Sequence, residues 1–323
     1  MPLITPSDFE PALGLENGHL QTIWPTLFRR VPLITQERKR LELEDNDFLD
    51  LDWARHVASR KLVIITHGLE SHSRDTSVQG MAGAFFAKEW DVLAWNMRGC
   101  SGEPNRLPRF YHSGATEDLS AIVDHAISEH DYQQIALVGF SLGGNLTLKY
   151  LSETYREPVF TAVAFSVPCH LQSSVERLDR PENQLYTRRL IRSLRAKILA
   201  KKLLFPSHFD VTRLEKMRTF REFDSAYTAP LHGFSSAKDY WQTSTCGPLL
   251  GEIRIPTLLV NARNDPFLTP LCFPELTAAG SPYFHLEIPE SGGHCGFVSS
   301  ATENWRWHEQ RALRFAEEKS DPS

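Results

Sequence analysis

One short stretch decides how this sequence is interpreted: Gly-Phe-Ser-Leu-Gly at residues 139–143, which reads G-x-S-x-G. The pattern is typical of a strand that turns sharply into a helix and presents its serine, here Ser141, at the apex. Gly139 and Gly143 lie where the two arms of such a turn come closest, and larger side chains would collide there. The stretch therefore predicts an accessible, nucleophilic serine hydroxyl.

The residues on either side favour the same strand, turn and helix. Ile-Ala-Leu-Val at 135–138 is a short apolar run that predicts a buried strand. Leu146, Leu148 and Leu151 follow on a stretch that predicts a helix ending near residue 153. A G-x-S-x-G match alone is a weak signal, and these flanks strengthen it.

Strands and helices alternate through most of the chain. Apolar runs such as residues 62–66 predict strands covered on both faces, and amphipathic stretches such as 115–129 predict helices. The alternation indicates an α/β fold with a mostly parallel, doubly wound sheet of eight strands. The predicted strands are a hairpin over 34–54 with its turn at 45–47, then 62–66, 92–95, 135–138, 160–165, 256–261 and 283–288; further helices are predicted at 76–88, 269–278 and 303–318.

A helical, basic segment over residues 171–245 interrupts the alternation. From Arg177 to Arg218 it carries twelve Lys or Arg against four Asp or Glu, although the whole chain has a net charge of -5. We predict an N-terminal arm over 1–33, an α/β core over 34–170 and 246–323, and an inserted helical cap over 171–245.

Two of these segments leave alternatives open. The arm contains Gly-His-Leu-Gln-Thr-Ile-Trp-Pro at 18–25 and an Arg29-Arg30 pair. It predicts either a short helix packed on the core or a segment that touches a membrane or a substrate channel. The basic residues of the cap predict either a solvated helix face or a surface attracted to anionic membranes or acidic substrates.

Composition limits the classes of function. The 323 residues are 41% hydrophobic and 23% charged with a pI near 6.2, which is ordinary for a soluble globular protein and gives no signal for nucleic-acid binding. The five cysteines are odd in number and widely spaced, so we expect free thiols in a reducing compartment. The sequence shows neither a signal peptide nor an apolar run long enough to span a membrane, so a cytoplasmic location is expected.

A serine nucleophile of this kind needs an acid and a histidine further along the chain, in that order. The acid is predicted to be Asp265, in the loop after the strand 258–262, where Pro266 restricts the backbone to an extended turn. Asp179 and Asp210 lie in the predicted cap and are weaker candidates.

The base is predicted to be His294, in the loop Ser-Gly-Gly-His-Cys-Gly at 291–296 after the last strand. His285 lies inside that strand and His308 inside the terminal helix, so neither is expected to reach a serine. In the predicted site His294 takes the proton of Ser141 and later gives it to the leaving group, while the acid holds the imidazole tautomer.

Two backbone amides are predicted to stabilise the oxyanion of the tetrahedral intermediate. One belongs to Leu142, directly after the nucleophile, and the other to Leu69, in His-Gly-Leu at 67–69 after the third strand. Gly68 allows close approach of the backbone, and His67 is assigned to this loop rather than to the role of base. No H-x-H, H-E-x-x-H, G-x-G-x-x-G or P-loop pattern occurs, so neither a metal nor a nucleotide cofactor is expected.

Seven short motifs are spread over nearly the whole chain: His-Leu-Gln-Thr-Ile-Trp-Pro at 19–25, His-Gly-Leu-Glu at 67–70, Asn-Met-Arg-Gly-Cys-Ser-Gly-Glu-Pro-Asn at 96–105, Tyr-His-Ser-Gly at 111–114, residues 139–145, Asn-Asp-Pro at 264–266 and Gly-Gly-His-Cys-Gly at 292–296. With them the chain resembles the YheT-like branch of the α/β-hydrolase fold, also called AB-hydrolase family 4. The resemblance implies a cofactor-free hydrolase of carboxylic esters with short or medium acyl chains. Some eukaryotic relatives act on phospholipids or transfer acyl groups to alcohols, and often carry a membrane anchor.

These observations lead to three hypotheses about function. The leading one is a serine esterase that forms an acyl-enzyme on a triad of Ser141, Asp265 and His294. Its nearest rival uses the same triad to transfer the acyl group to an alcohol or to hydrolyse a lipid such as a phospholipid or monoacylglycerol. The third is a non-catalytic binding protein on the same scaffold, and the intact triad argues against it.

Overall fold

The computed structural model describes residues 2–300 and 306–320, and the strands within them form one sheet. They are β1 (Leu3–Ile4), β2 (Glu37–Glu42), β3 (Phe48–Ala54), β4 (Lys61–Thr66), β5 (Asp91–Asn96), β6 (Gln134–Phe140), β7 (Val159–Phe165), β8 (Thr257–Val260) and β9 (Phe284–Glu287). Among the described residues this gives nine strands in the order β1-β9-β8-β7-β6-β4-β5-β3-β2. Neighbours are parallel except that β3 is antiparallel to β2 and to β5.

All eight predicted strands are present, and the predicted hairpin is confirmed as β2 and β3. Its turn is closed by the N–H of Leu43, which donates to the carbonyl of Asp47 at 2.9 Å. The additional strand is β1, which has two residues and pairs in parallel with β9. The sequence did not predict β1 because so short a segment carries no periodic pattern.

The described helices are α1 (Gly18–Phe28), α2 (Thr76–Phe86), α3 (Thr116–Glu129), α4 (Leu142–Glu153), α5 (Leu171–Leu178), α6 (Gln184–Leu204), α7 (Phe220–Phe223), α8 (Ala229–Leu231), α9 (Ala237–Ser244), α10 (Glu275–Gly280) and α11 (Trp307–Ser320). The predicted helix over 269–278 was wrong in its bounds, since Pro274 disrupts it and α10 begins only at Glu275. Residues 303–305 of the last predicted helix lie outside the described residues.

Helices cover both faces of the sheet, which explains why its central strands are apolar without alternation. In β4, Leu62 and Ile64 pack in one core cluster with α3 and α4, whereas Val63 and Ile65 pack in a second cluster with α2 and α11. Burial on both sides is what a mostly parallel sheet requires.

Between β7 and β8 the chain forms the inserted helices, α5 to α9. Residues of these helices and Ser141, which follows β6, line one cavity, and the side chain of Asn183 donates to the carbonyl of Pro266, in the loop after β8, at 2.8 Å. Carboxyl ends of parallel strands are where ligands bind in open α/β sheets. The division into arm, core and cap at the predicted boundaries stays a prediction.

Candidate active site

The serine is held at the tip of a strained turn between β6 and α4. Ser141 has φ 52° and ψ -118°, a backbone conformation that residues with side chains rarely adopt. Its N–H donates to the carbonyl of Phe165 at 2.8 Å. A Cβ on Gly139 would lie 2.7 Å from the carbonyl oxygen of Gly143, and one on Gly143 would overlap the carbonyl of His67. The two glycines are therefore required by close approach of the backbone.

The structure brings the three predicted side chains into one hydrogen-bonded row. The Nε2 atom of His294 lies 2.9 Å from the Oγ of Ser141, and its Nδ1 atom lies 2.8 Å from Oδ2 of Asp265. Because a carboxylate only accepts, Nδ1 carries the proton and Nε2 is free to accept the serine proton. The other carboxylate oxygen accepts from the N–H of Phe267 at 2.8 Å, which fixes the acid in the loop after β8.

Helix α1 holds the loop that carries the histidine. The hydroxyl of Thr22 accepts from the N–H of His294 at 2.9 Å, and the buried side chain of Gln21 bonds Val298 through both its donor and its acceptor, at 3.0 and 2.6 Å. Gly293, with φ 59°, lies so close that a Cβ would meet Gln21 Cβ at 2.7 Å. The arm thus packs on the core, as one of its two interpretations predicted. The sequence did not predict these contacts between α1 and the histidine loop. The motif at residues 19–25 was the only signal for them.

The turn that contains Leu69, one of the two predicted oxyanion donors, is oriented by a buried histidine. Nδ1–H of His67 donates to the carbonyl of Gly68 at 2.7 Å, and the N–H of Met97 donates to its Nε2 at 3.1 Å. Burial lowers the pKa of His67 to about 4, so the ring is neutral and has no proton to exchange with substrate at pH 7. The carbonyl of Gly68 and the N–H of Leu69 belong to one planar peptide, so holding the first aims the second.

An apolar cavity of about 100 Å³ is lined by Ser141 and by both residues with predicted oxyanion amides, Leu69 and Leu142. The N–H of Leu142 is in the first turn of α4, where helix geometry leaves amides without an intrahelical acceptor. The rest of the wall comes from the core and from the inserted helices, and includes Phe110, Tyr111, Pro168, Leu171, Val175, Leu178, Leu194, Phe220 and Phe223.

One acidic side chain, Asp224, stands in this apolar wall. Its two carboxylate oxygens accept from the hydroxyl of Thr228 and from Nε1–H of Trp241, both at 2.7 Å. Burial raises the pKa of Asp224 to about 6, because these neutral donors do not fully offset the loss of water. No pattern in the sequence singles out this residue.

The remaining sequence candidates have other partners. His308 is buried in α11 beside the ring of Phe165, and Asp179 accepts from the N–H of Phe220 at 2.9 Å. Asp210 accepts from the N–H of Thr212, and His285 lies within β9. Within residues 2–300 and 306–320 no group of three or more His, Cys, Asp or Glu is placed to hold a metal ion, and the five thiols are free. No helix in this described part is long and apolar enough to cross a bilayer.

Comparison with known proteins gives a consistent result. A model of the alpha/beta hydrolase fold family matches residues 61–301. The Escherichia coli K12 protein named "Putative esterase YheT" is 35% identical over 298 residues, which are 90% of this chain and 87% of that protein. Phospholipase ABHD3 of Mus musculus is 27% identical over 307 residues, 92% of this chain and 74% of that protein. The solved structure of the Pyrococcus furiosus esterase Pf2001 is 17% identical with a TM-score of 0.57, covers 90% of this chain and 100% of its own, and shares the fold.

Proposed function

The chain belongs to the alpha/beta hydrolase fold family, and on that premise we propose that it is a serine hydrolase of carboxylic esters. The observation that carries the proposal is the hydrogen-bonded row from Ser141 through His294 to Asp265 beside an apolar cavity. A serine alcohol is a weak nucleophile on its own, and an adjacent neutral imidazole oriented by a carboxylate supplies the base it lacks.

The proposed reaction has two halves. Nε2 of His294 takes the proton of Ser141 while Oγ bonds to the ester carbonyl carbon, and the imidazolium then protonates the departing alcohol. Water deprotonated by the same imidazole cleaves the acyl-enzyme, which releases the acid and restores the serine. Asp265 stabilises the imidazolium, and the amides of Leu69 and Leu142 stabilise each oxyanion by roughly 3–4 kcal/mol per donor.

The cavity supports a short or medium acyl chain as the substrate group. Its wall is mostly aliphatic and aromatic, and a volume of about 100 Å³ limits the chain it holds unless the inserted helices move. Two rival activities proceed through the same kind of acyl-enzyme intermediate: transfer of the acyl group to an alcohol, and hydrolysis of a lipid ester. Adding ethanol to the assay separates the first, because transfer yields new ethyl ester at the expense of free acid.

A fluorophosphonate probe and a p-nitrophenyl butyrate assay test the proposal. The wild-type chain is expected to be labelled at Ser141 and to hydrolyse the ester, and S141A to lose both. Ser152→Ala is the matched control, since Ser152 lies on the same helix and its hydroxyl donates to the carbonyl of Leu148 at 2.8 Å. Absence of labelling in folded wild-type protein would favour the non-catalytic binding protein.

A second candidate is contact with an anionic lipid surface, and the exposed face of α1 favours it. Leu20, Trp24, Leu27 and Phe28 are 42–65% exposed on this helix. The ring of His19 bonds the hydroxyl of Tyr186 at 3.1 Å, which joins α1 to the start of α6, where Arg188, Arg189 and Arg192 are exposed. We propose that this mixed apolar and basic surface docks on anionic membranes, since such a surface buries its aromatic side chains in the lipid interface.

Co-sedimentation with vesicles tests this docking. Wild-type protein is expected to bind phosphatidylglycerol vesicles more than phosphatidylcholine vesicles, less at high salt, and W24S is expected to weaken binding. Val57→Ser is the control, because Val57 is also a fully exposed apolar residue but lies in the loop before β4. Equal binding of both variants, or no effect of salt, would contradict the proposed surface.

A further inference from the structure

Glu70 directly follows the predicted oxyanion residue Leu69 and has φ 53°, in the left-handed region. Such a backbone needs support from its surroundings, because it is costly for a residue with a side chain. Part of the support comes from Tyr111, whose hydroxyl accepts from the N–H of Glu70 at 2.8 Å and donates to its Oε1 at 2.7 Å. The N–H of Ser71 closes the turn by donating to the carbonyl of Gly68 at 3.2 Å.

The other contacts of the Glu70 carboxylate come from the inserted helix α6. Nζ of Lys197 lies 2.8 Å from Oε1, and the hydroxyl of Ser193 donates to Oε2 at 2.5 Å. Lys197 and Ser193 are four residues apart, so they project from the same face of the helix. Nζ of Lys197 also lies 4.5 Å from the centre of the Tyr111 ring and donates to Sγ of Cys100 at 3.2 Å.

This ion pair is buried, unlike the arginines of the same helix that face solvent. The side chain of Glu70 is 4% exposed and that of Lys197 is 12% exposed. Burial alone would raise the pKa of Glu70, but the charge of Lys197 and the hydrogen bonds hold it below its ordinary value. Both groups are therefore charged at neutral pH, and removing one leaves the other charge buried without its partner.

We propose that Lys197 and Ser193 are positioning residues for the oxyanion turn, residues 68–71, so that the amide of Leu69 is aimed at the oxyanion only while α6 is docked. The inference rests on the proposed hydrolase function and assigns the inserted helices a part in the chemistry besides shaping the cavity. Contact with Glu70 ties α6 to the backbone next to the donor. Displacement of α6 removes Lys197 and Ser193 from Glu70, and the turn then loses the part of its support that comes from the inserted helices.

Kinetics of K197M test the proposal because an oxyanion donor acts in the transition state and not on bound substrate. With p-nitrophenyl butyrate we expect kcat to fall at least tenfold and KM to change less than threefold. A trifluoromethyl ketone, which forms a tetrahedral adduct with the serine, is expected to bind more weakly by a factor similar to the loss in kcat/KM. Lys238→Met is the matched control, at an exposed lysine of the inserted helix α9.

A double-mutant cycle gives the proposal a second test. If Glu70 and Lys197 act through one contact, the E70Q and K197M losses in kcat do not add, and the double variant stays within about threefold of the worse single variant. S193A, which removes only a hydroxyl, is expected to lower kcat several-fold and keeps the proposal testable if K197M does not fold. Unchanged kcat in folded K197M and S193A, or losses that add fully, would overturn it.

The experiments distinguish a failure of the proposed hydrolase function from a failure of the positioning role of α6. If wild-type protein neither reacts with a fluorophosphonate nor hydrolyses the ester, the proposed hydrolase function fails. If wild-type protein does both and K197M retains wild-type kcat and trifluoromethyl ketone affinity, only the positioning role of α6 fails.

Discussion

Two regions of the molecule are held in different ways: the core loops that carry Ser141, Asp265 and His294, and the inserted helices that complete the cavity. The first are fixed through their own backbone groups: glycines without space for a Cβ, a serine N–H that donates to a carbonyl of β7, and a histidine N–H that donates to the hydroxyl of Thr22 on α1. The second are fixed by side chains: Ile191 and Leu194 of α6 pack in the same core cluster as β4, and polar side chains such as Lys197 and Trp241 bond carboxylates. We therefore expect the core loops to supply fixed geometry for the proposed reaction and the inserted helices to set its selectivity.

The largest effect is expected from D265N, which changes one hydrogen-bond acceptor in the core loops. An asparagine can present its NH₂ group to Nδ1 of His294, which then carries no proton and leaves Nε2–H facing Ser141. We expect kcat for p-nitrophenyl butyrate to fall on the order of 10⁴-fold with little change in thermal stability. D131N, at an aspartate whose side chain is 88% exposed, is the control and is expected to keep full activity. A loss below 100-fold would show that another group orients the imidazole.

The second prediction concerns stability, and compares a glycine in the core loops with one outside them. In G143A the new methyl group would overlap the backbone carbonyls of Thr66, the last residue of β4, and of His67, directly after it. We expect the free energy of unfolding in urea to fall by about 3 kcal/mol or more. Gly251, which follows the inserted helices, has no atom within 4 Å of the place that a methyl group would take, so G251A is expected to be neutral within about 0.5 kcal/mol. Equal losses of unfolding free energy in G143A and G251A would contradict the expected difference between the core loops and the rest of the chain.

The same contrast explains what could be predicted from the sequence. Ser141, Asp265 and His294 each follow a strand closely, so local pattern and chain order were sufficient to select them. The contacts of Thr22 with His294 and of Ser193 with Glu70 join residues 272 and 123 positions apart, and no local pattern encodes such pairs. The predicted basic cap face was also only partly right. Lys201 turns inward and donates to the carbonyl of Asn105 at 2.6 Å, because its long side chain reaches the core.

The third prediction uses the buried carboxylate of the inserted helices. Because the pKa of Asp224 is raised to about 6, the native state binds its proton more tightly than the unfolded chain does, and stability conferred by the protonated form is lost as pH rises from about 4 to 6. The stability of wild type relative to D224N is therefore expected to fall by roughly 2 kcal/mol between pH 4.5 and 7, measured by urea unfolding.

The control for this prediction is D239N, on α9 of the same inserted helices. The N–H of Ser235 bonds Asp239 and lowers its pKa, so its contribution to stability has the opposite sign and grows as pH rises. Its pH dependence is expected to be small because the carboxylate is exposed to water. A flat difference between wild type and D224N over this pH range would mean that Asp224 is ionised as easily in the native state as in the unfolded chain.

The smallest effect is expected from L178A, which enlarges the cavity from the side of the inserted helices. Leu178 ends α5 and lines the cavity, so its loss makes room for roughly two or three further methylene groups of an acyl chain. The ratio of kcat/KM for p-nitrophenyl octanoate to that for the butyrate is expected to rise about fivefold, since at about 1 kcal/mol per methylene this is the gain from seating one of these groups against the new wall. L185A removes an equal side chain that is 68% exposed on α6, and is expected to leave the ratio unchanged. If both variants shift the ratio alike, acyl length is set by mobility of the inserted helices rather than by the shape of the wall. The core loops and the inserted helices would then differ in mobility, and selectivity would follow from that difference.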